Sequence, residues 1–217
     1  MINYNINSIE ELEKHKDAFG YHVKGNANFL FSAEFKGRLL VDGSLNIKAG
    51  KYIKAGWSIE AGEYIEAGGY IEAGGYIKAG WSIEAGKYIK AGEYIKAGGY
   101  IKAGGYIKAG EYIEAGEYIK AGEYIEAGEY SGISAGLSIM CKGTLKFGLK
   151  LYAGIKTWGE ATEEEETVTC SKLISGEIEY GILKEIKSEE EETITIKISK
   201  ESLQVLKDKG KEVIINA

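Results

Sequence analysis

The sequence predicts a mainly β fold: a single-stranded parallel β-helix wound as a triangular solenoid of about 18 residues per coil. Three observations predict it. From residue 47 to residue 130 the chain is fourteen consecutive copies of Ile-(Lys/Glu)-Ala-Gly-x-(Tyr/Ser). A period so short and strict marks a repeat architecture, whose units bury their apolar side only by stacking on one another. Within each copy Ile and Ala stand two apart, and residues i and i+2 share one side of an extended strand. Glycine recurs every six residues beside Tyr-Ile pairs, a pattern that weakens any helix.

Each hexad then reads as one short strand and one bend. Ile and Ala face inward, while the Lys or Glu between them and the Tyr before Ile face outward. Gly and the variable residue are left for the corner, with Gly tolerating corner dihedrals. The inward lane continues backwards through Val41, Phe35, Phe29 and Val23. Forwards, a two-residue insertion at Ser131-Gly132 shifts the register. The lane resumes at Ile133, Ile139, Leu145 and Leu151, with Ala135, Cys141, Phe147 and Ala153 at the second inward position. That makes 22 hexads in all.

The outward charges bear on the length of a coil. Stacked strands put equivalent residues about 4.8 Å apart, so unlike charges should tend to be neighbours. Along the Lys/Glu column, an 18-residue coil gives 7 unlike and 4 like neighbours, a 12-residue coil 5 and 7, and a 24-residue coil 6 and 4. Two-sided coils are disfavoured, three and four sides are not separated by charge, and the triangular coil is chosen because Ile plus Ala is the volume that a narrow triangular core holds. Twenty-two hexads then give about seven coils and a rod of roughly 34 Å.

A solenoid must cover its two open ends to stay soluble. Ser8-Ile9-Glu10-Glu11 reads as a capping box opening a helix to about Phe19, with Gly20 as its stop, laid over the first coil. Residues 163–166 and 189–192 are both Glu-Glu-Glu-Glu. Strand-like runs occupy 167–174, 177–186 and 193–198. Ser199 caps a helix to about Lys209, Gly210 stops it, and 213–215 reads as a last strand. Residues 160–217 carry 15 acidic and 8 basic side chains. The expected organisation is an N-terminal capping helix at 1–22, a solenoid at 23–158 and a small acidic α+β domain at 159–217.

The whole chain has 33 acidic and 27 basic residues, a net charge of −6. That balance argues against direct nucleic-acid binding, which needs a basic face. No apolar run approaches a membrane span, and the first residues lack a signal-peptide plan. The two cysteines stand far apart in sequence, and Cys141, on an inward position, reads as core rather than as a ligand or disulfide partner. A cytoplasmic bacterial or phage protein fits these features. Enzyme chemistry has little to work with: His15 and His22 are the only histidines, and no metal spacing, phosphate loop or differentiated carboxylate pair stands out. No cofactor or metal is expected.

Three features are candidates for recognition. Twelve of the fourteen hexads end in Tyr, and these side chains read as aromatic ladders whose simplest role is stacking between coils. Trp57 and Trp81 replace the usual corner residue, and in both copies Ser replaces the following Tyr. Leu137-Ser138 repeats that large-then-small exchange. An exposed Trp is a common binding anchor, or it lies flat on the neighbouring face. Between residues 111 and 130 the outward and corner charges are Glu111, Glu114, Glu117, Lys120, Glu123, Glu126 and Glu129, net −5. This belt rings about one coil, and suits either a basic protein surface or solvation of a Tyr-rich rod.

The Ile-x-Ala-Gly hexads resemble those of three groups. Hexapeptide-repeat acyltransferases share the six-residue period and triangular coil, although residues 47–217 contain no histidine to match their usual catalytic one. Bactofilin-like cytoskeletal proteins share short hexad strands and acidic, Gly-rich turns, and polymerise end to end. The resemblance to repetitive Ile-Lys-Ala-Gly/Ile-Glu-Ala-Gly proteins of bacteria and phages covers about residues 47–136 and implies little about role. Pentapeptide-repeat DNA mimics supply a principle: an acidic rod can occupy a DNA-binding groove.

The function expected first is a non-catalytic protein-interaction module. Its specific form is a phage or mobile-element inhibitor of a nucleic-acid-handling bacterial defence complex, acting by acidic mimicry. The alternatives are a self-assembling scaffold, with homo-oligomers, and an acyltransferase relative.

Overall fold

Ile71 stacks between Ile53 and Ile89 in parallel register. One coil is therefore three hexads long, one hexad to each of its three sides. The computed structural model describes residues 1–156 and 158–186. Within it the first face carries the strands Ile65–Ala67, Ile83–Ala85 and Ile101–Ala103. The second carries Ile59–Ala61, Ile77–Ala79, Ile95–Ala97 and Ile113–Ala115. The third carries Ile53–Ala55, Ile71–Ala73, Ile89–Ala91 and Ile107–Ala109. Every coil hydrogen-bonds to the next, as from Ile71 N–H to the Tyr88 carbonyl at 3.0 Å and from Gly74 N–H to the Ala55 carbonyl at 3.0 Å. Each Ile from 53 to 125 is at most 1% exposed, and every hexad Ala from 55 to 127 is buried with it.

The first face holds ten strands in one sheet, a stack about 43 Å long at the usual strand spacing. It exceeds the seven coils expected because both ends contribute strands that hexad counting missed. At the N-terminus, Asn3–Ile6 pairs in parallel with Asn26–Phe29 and starts the stack. The helix is shorter than expected, Ile9–Glu13. Half of the expected capping box forms: the Ser8 hydroxyl accepts from Glu11 N–H at 3.4 Å, while the Glu11 carboxylate reaches past Ser8 to accept from Asn7 N–H at 2.6 Å. It ends at the Lys14 C-cap, where the bonds tighten to His15 N–H on the Leu12 carbonyl and Lys16 N–H on the Glu13 carbonyl. Beyond it the Asp17 carboxylate accepts from Phe19 N–H and from the Arg38 guanidinium, both at 2.8 Å, and holds the following turn. Gly20 then opens the strand Gly20–Val23 instead of ending a helix, at φ 147° and tight against the Arg38 backbone. Tyr21 ties the helix to the coil, its hydroxyl donating to Glu13 at 2.6 Å and its ring edge-on to Phe35 at 5.1 Å.

The inward lane before residue 53 is offset from the expected one. Leu45 aligns with Ile65 and Ile47 with Ala67, a longer step than three hexads. The first repeat copy absorbs the extra pair: Ala49 is exposed and Gly50 bends at φ 74°. Val41, Phe35, Phe29 and Val23 are buried as expected, but at the second inward position. Their partners at the first position are Leu39, Ala33, Ala27 and Tyr21. Ala33 with Phe35, and Ala27 with Phe29, reverse the large-then-small order of Ile and Ala. The slip also removes one assumed charge pair, since Asn46 and not Lys48 faces Glu66.

The insertion at Ser131-Gly132 does shift the register: Ile133, not the residue three hexads on, resumes above Ile113. The long strand Thr144–Ala153 then crosses from the third face to the second, pairing with both. The two strand-like runs expected at 167–174 and 177–186 form three strands instead, Thr167–Cys170, Lys172–Tyr180 and Ile182–Glu185, broken at Ser171 and Gly181, and they pair in parallel with the coils before them. The stack therefore runs on past the boundary expected at residue 158. The acidic run 189–192, the strand at 193–198, the helix at 199–209 and the strand at 213–215 lie outside the described residues.

The hexad glycines serve closeness, not unusual dihedrals. Positive φ occurs at Gly20, Gly50, Gly154, Gly159, Gly176 and Gly181, none of them a regular corner except the displaced Gly50. A Cβ on Gly110 would run into the Gly92 carbonyl oxygen of the coil below. Because the inward stack carries stability, Ile95→Ala should lower the unfolding free energy by about 2–5 kcal/mol. Lys96→Ala, on the same strand but facing out, should cost less than about 1 kcal/mol. Urea unfolding followed by circular dichroism measures both, and equal losses would remove the inward stack as the source.

Candidate interaction surface

Each side of the rod presents a tyrosine column and a Lys/Glu column, and each edge presents a corner column. On the third face the rings of Tyr52, Tyr70, Tyr88, Tyr106 and Tyr124 stack at centroid spacings of 4.3 to 4.8 Å. On the second, Tyr76, Tyr94 and Tyr112 stack at 4.8 and 4.9 Å. On the first, Tyr100 and Tyr118 stack at 5.0 Å. The ladders are a direct result of the three-hexad coil, which holds equivalent rings at strand spacing. Tyr130, beside the insertion, leaves the ladder and is 87% exposed.

The phenols respond to this packing. Burial pushes the Tyr94 hydroxyl up to about 12, with the neighbouring Tyr76 and Tyr112 adding to it. Burial, then the Glu72 carboxylate, pushes Tyr88 up further. Tyr70, Tyr100, Tyr106, Tyr118 and Tyr124 shift the same way, chiefly through burial.

The charge columns are mixed ladders. Lys96 pairs with Glu114 at 2.9 Å, Lys102 with Glu84 at 2.6 Å, and Lys108 with Glu126 at 3.0 Å. Burial works to raise the Glu126 carboxyl, but Lys108 and Lys146 outweigh it and hold it below the usual carboxylate range. Two members of the acidic belt, Glu114 and Glu126, are thus already partnered. Glu111, Glu117, Glu123 and Glu129 are exposed corner residues.

The corners divide the belt. Trp57, Gly75, Glu93 and Glu111 form one column joined by backbone hydrogen bonds, between the third and second faces. Glu63, Trp81, Gly99, Glu117 and Leu137 form the next, between the second and first faces. Gly69, Lys87, Gly105 and Glu123 form the third, away from the second face. Both tryptophans therefore border the second face, and they are 61% and 66% exposed. Both side chains remain largely open to solvent at their corners. Glu111, Glu117 and Glu129 border the same face and Glu114 lies on it, whereas Glu123 and Glu126 do not share it. The sequence reading missed Glu63 and Glu93, which complete the two edges; the three-hexad spacing from Glu93 to Glu111 was the available signal.

Elsewhere, His15 sits edge-on to Tyr4 at 4.8 Å, and His22 contacts Asp42 at 2.7 Å. Cys141 and Cys170, distant in sequence, become neighbours: Ile139 pairs with Val168 and Met140 with Thr169, and the next register step brings the two buried, free thiols together. Burial, then Cys170, pushes the Cys141 thiol up to about 12. Among the described residues no helix is long and apolar enough to cross a membrane, and no group of three metal-ligating side chains converges. Set against protein-family models, curated proteins and solved structures, the chain matches none.

The ladder phenols carry a pH dependence. Their folded values lie above the unfolded value of 10.0, so the fold favours the neutral hydroxyl. That stabilisation is complete below about pH 10 and is lost as the pH rises through the folded value, about 12 for Tyr94. Phenolate absorbance of the folded chain should lag behind that of the urea-unfolded chain, and the urea midpoint should fall steadily above about pH 10. Superimposable titrations of the two states would refute it.

Proposed function

We propose that the chain is a non-catalytic interaction protein that presents the second face of its rod to a basic protein surface. One observation carries this reading: Trp57 and Trp81, the two exposed corner tryptophans, border the same face, with Glu63, Glu93, Glu111 and Glu117 along its two edges. Tryptophans that bury a large area on contact are strong anchors. Here they rise from a scaffold that is hydrogen-bonded coil to coil, so little order has to be created on binding. Carboxylates on both flanks steer a basic partner to the face and fix its register.

In its specific form the protein is an inhibitor from a phage or mobile element. Its acidic edges occupy the basic surface with which a bacterial defence complex would hold nucleic acid. The negative net charge and the two carboxylate-bearing corners support that form. The partner is protein, and the rod itself holds no nucleic acid.

The face makes the reading directional. The full-length protein should capture a basic, nucleic-acid-handling partner from a bacterial lysate. The pair Glu111→Lys and Glu117→Lys should weaken capture about tenfold or more, equivalent to about 1.4 kcal/mol. Glu123→Lys, on the third corner, should change it little. Indifference to the first pair, or equal sensitivity to Glu123→Lys, sinks the second-face assignment.

A further inference from the structure

The tyrosine ladder of the first face lacks one rung. Tyr64, Tyr100 and Tyr118 hold the ladder position there, and Ser82 stands between Tyr64 and Tyr100. Rings one coil apart on this face stack at 5.0 Å and 1° from parallel. Tyr64 and Tyr100 are two coils apart, so their levels differ by about 9.6 Å, the room for one flat group between two rings. A cavity of about 220 Å³ opens at this place, lined by Tyr64, Trp81, Ser82, Tyr100, Glu66 and Glu84.

Its carboxylates are unusual for this rod. Glu66 and Glu84 are in-register neighbours, the one Glu–Glu pair among the described strands. Like charges directly opposite one another cost stability, and the repeat accepts Lys at this position. Glu84 is satisfied within the protein: Lys102 donates to one oxygen at 2.6 Å and the Tyr100 hydroxyl to the other at 3.2 Å. Glu66 is exposed and takes part in no ion pair among the described residues. The cavity thus combines two rungs of an aromatic ladder, a corner tryptophan and a carboxylate lacking a counter-charge.

We propose that this notch binds the guanidinium of an arginine side chain on a protein partner. A guanidinium is flat, stacks on aromatic rings and offers paired N–H groups to a carboxylate. It takes the place of the missing ring and supplies Glu66 with its charge. A lysine ammonium is compact and strongly hydrated, and fills a ring-shaped slot poorly. The inference rests on the chain being a protein-binding rod, but it concerns a different face, and its test requires no captured partner.

The test uses the full chain with Trp81 as its only tryptophan (Trp57→Phe, Trp158→Phe). Its fluorescence is followed on titration with acetyl-Gly-Arg-Gly-amide, the lysine counterpart and the uncharged citrulline counterpart. The arginine peptide should bind saturably in the millimolar range, the lysine peptide roughly fivefold more weakly, and the citrulline peptide not at all. Ser82→Tyr restores the rung with the repeat's own residue. It and Glu66→Gln should each weaken arginine binding about tenfold, with thermal unfolding little changed. Equal binding of arginine and lysine, no saturable response to arginine, or full binding by Glu66→Gln overturns the site. Any of these results can occur while lysate capture still depends on Glu111 and Glu117, so the two proposals fail separately.

Discussion

Everything in this rod depends on in-register parallel stacking of identical cross-sections. Each coil must offer the next the same three strands at the same heights, because any offset would break hydrogen bonds on all three sides at once. Fixed cross-section means fixed core volume. Ile and Ala fill one side of a coil; in the first coils two sides reverse that order, Ala33 with Phe35 and Ala27 with Phe29, and others carry two large residues, such as Leu39 with Val41. The corner glycines obey the same constraint from outside, since the carbonyl of the coil below leaves no space for a Cβ. Two-residue adjustments are tolerated only where they bulge outward, at Gly50 and at Ser131-Gly132.

Stacking also writes the surface. A side chain that recurs once per coil becomes a column, so tyrosines become ladders with raised phenol values and charges become mixed columns with ion pairs where unlike charges meet. Exceptions in the repeat then acquire positions in space. Two Trp-Ser substitutions four hexads apart place both tryptophans on the borders of one face, and the second of them opens a gap in a ladder. A regular background turns single substitutions into local, chemically distinct features.

Much of this was legible in the chain. The hexad pattern announced the inward and outward positions, the charge column disfavoured two-sided coils, the volume of Ile plus Ala pointed to three sides over four, and the insertion at 131–132 was visible as a break in the period. The rest depended on contacts that a linear pattern does not contain. The register slip at 48–51 hides inside a perfect repeat copy, because Ile47 is equally apolar at either inward position. The helix gives way after Glu13 to a turn that sets Lys16 against Tyr21 and Asp17 against Arg38, 21 residues away. The strands from Thr167 to Glu185 read as a separate unit because they lack the hexad, yet they pair on the existing edge. The acidic belt reads from the sequence as ringing about one coil on all three sides, and its exposed carboxylates do divide among three corners; what the pattern left out is that lysines one coil away pair with Glu114 and Glu126.

By itself the sequence determined the period, the side of the strand on which each hexad residue from Ile53 to Ala127 falls and the choice of a narrow coil, because these follow from spacing and from the volume of Ile and Ala. Only the tertiary structure decided which columns share a face, which charges are partnered, where Cys141 meets Cys170, and where the ladder has a gap. Those outcomes depend on the cumulative register of the coils, and a slip of two residues anywhere below moves every neighbour above it.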